Sequence, residues 1–463
     1  MLPARPKIFH GRDTELKDIV EIICREPARI AILGAGGMGK TSLAKATLHH
    51  PDVVAKYHSC FFVASDSATT SVELAGLIGA HIGLKPGKDL TNPVVNYFSN
   101  GPACLLILDN LETIWEPLES RSKVEELLSV LTDIKHLALI ITMRGAERPA
   151  KVHWTRPFLQ PLRPLSNDAA WLAFVDIAED FHNPEHIRQL LSLTDNLPLA
   201  VDLMAHLVDS EGCEPVLGRW ETEKTSILSD GNDRRSNLDA SITVSLSSPR
   251  MTSGAKDLLS LLAILPDGLS EIELLQSKLP INNVLRCKAI LLATSLAYTD
   301  GKNRLKSLVP IREHMQCFYP APQTLVHSLQ KHFYLLLDLY KKHSGKEHEV
   351  GRVNQITSNL GNLHQVLLHG LCLNNPNLAE TIYCTISLNS FSRTAGHRRH
   401  ILMDHIPSVL SHTSDVELKV YFITEVLTTG IYQPGTDPEQ LIAEGELYCC
   451  HVTDSVLQGE FSK

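Results

Sequence analysis

The chain has 463 residues, of which 43% are hydrophobic and 21% charged, as is ordinary for a soluble globular protein of about two to four domains. A formal net charge of −9 disfavours a general nucleic-acid binder, because such proteins carry a basic footprint. No apolar run reaches the roughly 18–20 residues that span a bilayer, and the first residues lack the apolar core of a signal peptide. The ten cysteines form no C-x-x-C pair. We therefore expect a cytoplasmic protein that has neither a membrane nor a nucleic acid as its partner.

Residues 1–155 predict an α/β domain. Short apolar runs at 28–34 ("ARIAILG"), 59–65 ("SCFFVAS"), 103–110 ("ACLLILDN") and 136–145 ("HLALIITMRG") alternate with amphipathic stretches such as "KTSLAKATLHH". The last two runs are continuously apolar, as in strands buried on both faces of a parallel sheet. Alternation of strand and helix favours an α/β fold, a parallel sheet with flanking helices.

The segment "GAGGMGKT" (34–41) follows the first predicted strand and matches G-x-x-x-x-G-K-[ST] in full. Glycines there let successive N–H groups turn inward around phosphates, and the following helix adds its positive N-terminal end. We expect Lys40 to reach the β- and γ-phosphates of ATP or ADP and the Thr41 hydroxyl to bind Mg²⁺. The predicted nucleotide contacts are Gly34, Ala35, Gly36, Gly37, Met38, Gly39, Lys40, Thr41 and Ser42.

Asp109 ends the third predicted strand, where a phosphate loop needs a second Mg²⁺ ligand. A plain helix-capping aspartate is the alternative. Asn110 follows, at the position where hydrolytic relatives place a second acid that orients the attacking water. Glu112 is close in sequence, although the sequence does not say where its side chain points. Because an amide cannot act as a base, nucleotide binding is better supported than turnover, and we expect slow hydrolysis at most.

Arg144 ends the fourth predicted strand, at the sheet edge where α/β proteins bind their ligands. An arginine at that edge can sense a γ-phosphate through charge-assisted hydrogen bonds. A solvated surface arginine is the alternative. With this residue the predicted catalytic set is Lys40, Asp109 and Arg144.

Beyond residue 155 the pattern becomes mostly helical. Residues 156–245 predict helices and a polar linker at 221–237. Residues 246–320 predict helices followed by a hairpin with "TDGKN" as its turn, which suggests a winged-helix domain. Residues 321–463 predict successive helices with a faint period of roughly 34–40 residues, which suggests a helical repeat.

Several motifs together resemble one family. "FHGRDTEL" (9–16), "GAGGMGKT", "LLILDNLE", "LIITMRG" and "NLPLAVDLM" (196–204) occur in the order found in signal-transduction ATPases with numerous domains (STAND NTPases). The set is most similar to the NB-ARC branch, which includes plant disease-resistance proteins and apoptotic-protease-activating factors. Within that branch, fungal members with tetratricopeptide-like (TPR-like) helical repeats are most similar. The resemblance covers about residues 8–318.

This resemblance implies three domains closing over one nucleotide: the NTPase domain, a small helical domain with a GLPL-like motif, and the winged-helix domain. It implies that the backbone around Phe9, Gly11 and Arg12 contacts adenine and that Pro198 packs near it. The family's M-H-D motif is replaced by "SLVPIREHMQ", in which His314 is a candidate for the phosphate-contacting histidine. An effector domain usually precedes the NTPase in this family, and we expect it to be absent here.

The predicted function is a signalling switch driven by exchange of ADP for ATP. Exchange would change the domain arrangement and promote self-oligomerisation, and the C-terminal helices would bind a protein partner. Two alternatives stay open. One is an AAA+-like ATPase that turns over ATP for mechanical work. The other is a winged-helix transcription regulator with an NTPase module, although "INNVLRCKAILLATSL" carries only two basic residues.

Overall fold

The computed structural model describes residues 2–25, 27–179, 183–228, 238–342, 349–372, 375–394, 400–429, 437–452 and 461. Part of the predicted polar linker, residues 229–237, therefore lies outside the described residues. The described residues form two compact units. The first draws on 1–259, 285–299 and 307–319, and the second on 260–284, 300–306 and 320–463.

A four-stranded parallel sheet organises the first unit. The strands β1 to β4 lie in the order β1-β4-β3-β2, and the two central strands are buried along nearly their whole length. Continuous burial explains why both central strands read as uninterrupted apolar runs. The predicted α/β fold class is confirmed. The strand bounds are β1 Arg29–Gly34, β2 Ser59–Ala64, β3 Cys104–Asp109 and β4 Leu137–Arg144.

Seven helices accompany these strands along residues 13–132. Several of these helices begin at residues whose conformation or side chain favours a helix N-terminus. Gly39, with φ of 82°, precedes the helix after the phosphate loop, and Thr70 with Glu73 forms a complete capping box. The apolar faces of the last four of these helices pack with the sheet into one core. The bounds are α1 Asp13–Arg25, α2 Lys40–Leu48, α3 Pro51–Lys56, α4 Ser71–His81, α5 Thr91–Asn100, α6 Glu112–Trp115 and α7 Leu118–Thr132.

Within the region predicted to be helical, residues 184–211 form two helices. Asp195 and Asn196 take positive φ angles of 49° and 54°, and Pro198 then opens a new helix with its φ already suited to the first turn. The helices here are α8 Asn167–Ala178, α9 Pro184–Thr194, α10 Pro198–Glu211, α11 Cys213–Glu223 and α12 Leu238–Leu246, with a 3₁₀ turn at Lys224–Ile227.

Residues 246–320 contain helices and short strands that contribute to both units. The predicted turn at 299–303 lies between two short strands, and Asp300 accepts hydrogen bonds from the backbone of Lys302 and Arg304. The winged-helix assignment stays a prediction. The elements are α13 Ser253–Ala263, β5 Leu269–Ser270, α14 Glu271–Gln276, α15 Val284–Ala293, β6 Tyr298–Thr299, β7 Arg304–Lys306 and α16 Val309–Phe318.

Beyond residue 320, the described residues are mostly helical, as predicted. Within the described residues no helix is both long and apolar enough to cross a membrane. The TPR-like repeat stays a prediction. The helices are α17 Gln323–Lys342, α18 Glu349–Thr357, α19 Leu360–Gly370, α20 Leu378–Thr394, α21 Ile406–Leu410, α22 Val416–Thr429 and α23 Pro438–Cys449, with a 3₁₀ turn at Ile401–Asp404.

Candidate nucleotide-binding site

A cavity of about 380 Å³ lies beside the phosphate loop in the first unit. Its position matches the rule that ligands of α/β sheets bind at the carboxyl ends of the strands. Most of the predicted site residues line it: Phe9, Arg12, Gly36, Gly37, Met38, Gly39, Lys40, Thr41, Ser42, Arg144 and Pro198.

The phosphate loop has the backbone that its sequence predicts. Gly34, Gly37 and Gly39 all take positive φ, which a residue with a side chain rarely adopts. The Lys40 ammonium group donates to the carbonyl oxygens of Gly34 at 3.0 Å and Ala35 at 2.7 Å. Burial lowers the pKa of Lys40 to about 8, although the carboxylates of the site oppose this shift. An anionic phosphate is the partner that would satisfy this buried cation.

Asp109 and Thr41 meet where a metal ion would bind. Asp109 Oδ1 accepts from Thr41 Oγ1 at 2.8 Å and from Thr142 Oγ1 at 2.6 Å. Asp109 Oδ2 is buried and has no hydrogen-bond partner among the described residues. An unpaired carboxylate oxygen beside a threonine hydroxyl is a donor set that Mg²⁺ accepts, so the residues fit the ion. Thr41 and Asp109 would hold it, and it would neutralise phosphate charge.

Arg144 is partly buried rather than solvated, with 12% of its side chain exposed. Its Nε lies 3.3 Å from Glu112 Oε1, and its backbone N–H donates to Glu112 Oε2 at 3.3 Å. On the other side, Nη1 donates to the Ser241 carbonyl oxygen at 2.7 Å and to Ser245 Oγ at 2.9 Å. Arg144 therefore connects the end of β4 to helix α12.

Helix α12 also lies against the phosphate loop itself. A Cβ atom added to Gly36 would lie 2.5 Å from Arg144 Nη1 and 2.6 Å from Ser241 Oγ. Only a glycine fits this approach without moving those side chains. The middle of the loop, Arg144 and the start of α12 thus share one side of the cavity.

The other side of the cavity is more apolar. Arg12 connects it to the loop, since its Nη2 donates to the carbonyl oxygens of Met38 at 3.1 Å and Arg163 at 2.6 Å. Burial lowers the pKa of Arg12, and Glu15 opposes this. Apolar and polar residues that the sequence did not single out complete this side: Ile8, His10, Leu165, Ala173, Ile177, Leu199 and Asp202.

Three predicted residues contribute indirectly. Gly11, with φ of 69°, packs its backbone on Ala169, which leaves Phe9 and Arg12 to face the cavity. Gly34 and Ala35 contact Lys40 through their carbonyl groups. Their predicted contacts with nucleotide stay predictions.

His314 pairs with a residue of α12. Its Nδ1 lies 2.6 Å from Asp239 Oδ1, which also accepts from Thr225 Oγ1 at 2.9 Å. The histidine is buried, and within the part of the chain that the structure describes the cavity is lined by other side chains. Its role as a phosphate contact stays a prediction.

Sequence reasoning missed the contribution of α12 to this site. Ser241 and Ser245 lie about a hundred residues after Arg144, and nothing in "LDASITVSL" matches a nucleotide motif. The only local signal is that serines recur four residues apart, so both fall on one helix face.

Residues 3–154 match the family model described as novel STAND NTPase 1. Disease resistance protein RGA2 of Solanum bulbocastanum is 26% identical over 222 residues, which cover 44% of this chain. Those residues cover 22% of RGA2, so the chain spans less than a quarter of that relative's length.

Two solved structures are similar at low sequence identity. The Walker-type ATPase of Pyrococcus abyssi has 15% identity and a TM-score of 0.47, covering 68% of this chain and 99% of that one. A STAND protein with a tetratricopeptide repeat sensor from Pyrococcus horikoshii has 16% identity and a TM-score of 0.32. That alignment covers all of this chain and 66% of the other.

Proposed function

We propose that the chain is a nucleotide-operated signalling switch, because residues 3–154 match a STAND NTPase family model and contain a complete phosphate-loop motif. It would hold Mg²⁺ with ADP in one arrangement and with ATP in another. The observation that carries this proposal is that Arg144 contacts α12 beside the phosphate loop.

A terminal phosphate would compete with α12 for this arginine. The acceptors that Arg144 Nη1 has on α12 are a carbonyl oxygen and a serine hydroxyl, which are neutral, whereas its Nε pairs with the Glu112 carboxylate. A phosphate oxygen is charged, and charge-assisted hydrogen bonds are about twice as strong as neutral ones. ATP would therefore draw Arg144 away from α12, whereas ADP, which lacks the γ-phosphate, would leave the contact in place.

The release of α12 would be transmitted through its other contacts. Asp239 on the same helix pairs with His314 on α16, so a shift of α12 disturbs α16 as well. A ligand shifts such an equilibrium only by its differential affinity for the two states. Couplings of this kind are typically about 1–3 kcal/mol, which suffices where the two arrangements are nearly balanced.

The remaining parts of the proposal concern the whole chain. We place the switch in the cytoplasm, with residues 246–320 as a winged-helix domain and 321–463 as TPR-like helices that bind a protein partner. Exchange of ADP for ATP would favour self-oligomerisation. Hydrolysis would be slow because Asn110 occupies the usual position of the second acid.

The first experiment is to denature the purified protein and identify any released nucleotide by chromatography. We expect near-stoichiometric ADP from the wild type and none from Lys40→Ala, which lacks the ammonium group of the phosphate loop. Exposed Lys17→Ala serves as the matched control and should release as much ADP as the wild type. A wild-type protein that is empty and turns over added ATP rapidly would instead support the AAA+-like ATPase.

A further inference from the structure

We infer that Glu112 replaces the missing second acid as the base for ATP hydrolysis, and that Arg144 restrains it until a triphosphate binds. This inference rests on the proposed function, because it assumes that the cavity takes ATP. It concerns a carboxylate three residues beyond Asp109, outside the position where the usual acid stands.

The backbone after β3 explains how Glu112 reaches the site. Asn110 has a φ of 59°, in the left-handed region, and its N–H donates to Thr142 Oγ1 at 3.0 Å. Leu111 N–H then donates to the Thr142 carbonyl oxygen at 3.0 Å. These bonds hold the turn against β4, and α6 begins at Glu112, so that its carboxylate meets the end of β4.

The guanidinium group of Arg144 contacts Glu112 and also lies close to the phosphate loop. Glu112 Oε1 lies 3.3 Å from Arg144 Nε, and the Nη1 of that arginine lies where a Cβ of Gly36 would be 2.5 Å away. Glu112 is 5% exposed, so a water molecule between it and a γ-phosphate would be shielded from bulk solvent.

The two oxygens of Glu112 have different partners. Oε2 accepts from the backbone N–H of Arg144, a contact that movement of the arginine side chain leaves intact. Oε1 pairs with the arginine side chain. When Arg144 turns to the γ-phosphate, Oε1 becomes available while Oε2 still orients the carboxylate. The contacts of Arg144 with Ser241 and Ser245 oppose this turn and so keep hydrolysis slow.

The chemical step is an in-line displacement. The water oxygen forms a bond to the γ-phosphorus, and one water proton passes to Glu112 Oε1. The bond between the γ-phosphorus and the bridging oxygen breaks, and its electron pair stays on the β-phosphate of ADP. The products are ADP and inorganic phosphate, and Glu112 returns the proton to solvent.

The test is single-turnover ATP hydrolysis with excess protein, alongside direct measurement of ATP and ADP affinity. We expect Glu112→Gln to lower the hydrolysis rate about 100-fold or more, the usual contribution of a positioned base, with ATP affinity changed less than about threefold. Glu112→Asp should recover part of the rate. The matched control is Glu119→Gln, an exposed acid on the next helix, and it should hydrolyse ATP like the wild type.

A second variant tests the restraint. Ser245→Ala removes one acceptor of Arg144 without touching the loop, and we expect its hydrolysis rate to rise several-fold. The inference is overturned if Glu112→Gln binds ATP and hydrolyses it at the wild-type rate. It is also overturned if wild type and Ser245→Ala bind ATP but neither hydrolyses it. A wild-type protein that binds no nucleotide contradicts the proposed function instead.

Discussion

The two carboxylate oxygens of Asp109 have different surroundings, and this difference predicts how the site uses metal. Oδ1 accepts from two threonine hydroxyls, which orient the group, while the buried Oδ2 has no partner within the described part of the chain. Leaving a buried charged oxygen unsatisfied costs free energy, which a bound cation would recover.

We expect Asp109→Asn to lower ATP affinity in Mg²⁺ by about 10-fold to 100-fold, the size of one interaction with a charged group. Oδ1 of the asparagine can still accept from Thr41 and Thr142, so the site should stay folded. Titration calorimetry with and without a chelator measures the effect. In the presence of the chelator, the wild type and the variant should bind ATP with equal affinity. A difference in affinity that persists there would show that Asp109 acts without a metal.

At the scale of single elements, the 3₁₀ turn Ile401–Asp404 depends on a histidine at its start. His400 Nδ1 accepts from the Leu402 N–H at 3.3 Å, and His400 N–H donates to Asn389 Oδ1 at 2.8 Å. Burial, together with the neighbouring His364, lowers the pKa of His400 to about 4. A protonated Nδ1 cannot accept this capping bond, so the fold requires the neutral ring.

This pKa makes stability depend on pH in a definite direction. The unfolded chain protonates His400 near pH 6.5 and the folded chain only near pH 4, so the free energy of unfolding falls as pH drops between these values. Between pH 7 and pH 5 we expect a loss of about 1 kcal/mol from this residue, after allowing for its partial exposure.

His400→Asn tests this prediction, because asparagine is also a good N-cap but does not titrate. Urea unfolding followed by circular dichroism at pH 7 and pH 5 gives the comparison. The variant should lose less stability than the wild type on acidification, since the other titrating groups are common to both proteins. Equal losses would show that His400 contributes nothing to the pH dependence.

At the scale of the whole molecule, the second unit has a buried polar cluster that joins distant parts of the chain. Arg304 Nη2 lies 3.1 Å from Glu273 Oε2 and donates to Asn359 Oδ1 at 2.6 Å. Asn359 in turn donates to Glu273 Oε1 at 2.5 Å. The three residues belong to β7, α14 and the start of α19, so the cluster sets the arrangement of these elements.

We expect Arg304→Met to destabilise the second unit by about 3–5 kcal/mol, because it leaves the buried Glu273 carboxylate without its cation. Differential scanning calorimetry of the full chain measures the change. Glu271→Gln is the control, since it alters an exposed acid on the same helix and should have little effect. A loss below about 1 kcal/mol would mean that Glu273 takes up a proton at little cost.

The sequence predicted those parts of the molecule whose determinants are local. The phosphate loop is formed by consecutive residues, so its motif is visible in the sequence. The continuous apolar runs of β3 and β4 likewise indicate strands that are buried on both faces of the sheet. The contacts of Arg144 with α12 depend on packing between segments a hundred residues apart, which no local pattern encodes. The direction in which the Glu112 side chain points depends on the left-handed conformation of Asn110. Asparagine can adopt this conformation but does not require it, so the sequence alone does not predict it.

The strand order of the sheet has a consequence for a chain growing on the ribosome. β2 can pair with β3 about 45 residues after it is made, but Gly34 of β1 pairs with Arg144, about 110 residues later. At translation speeds of about 5–20 residues per second, β4 is synthesised roughly 5–20 seconds after β1 and the start of the phosphate loop. β1 is synthesised before the other three strands but is thus the last to join the sheet, and we expect a nascent chain to bind nucleotide only after β4 has emerged.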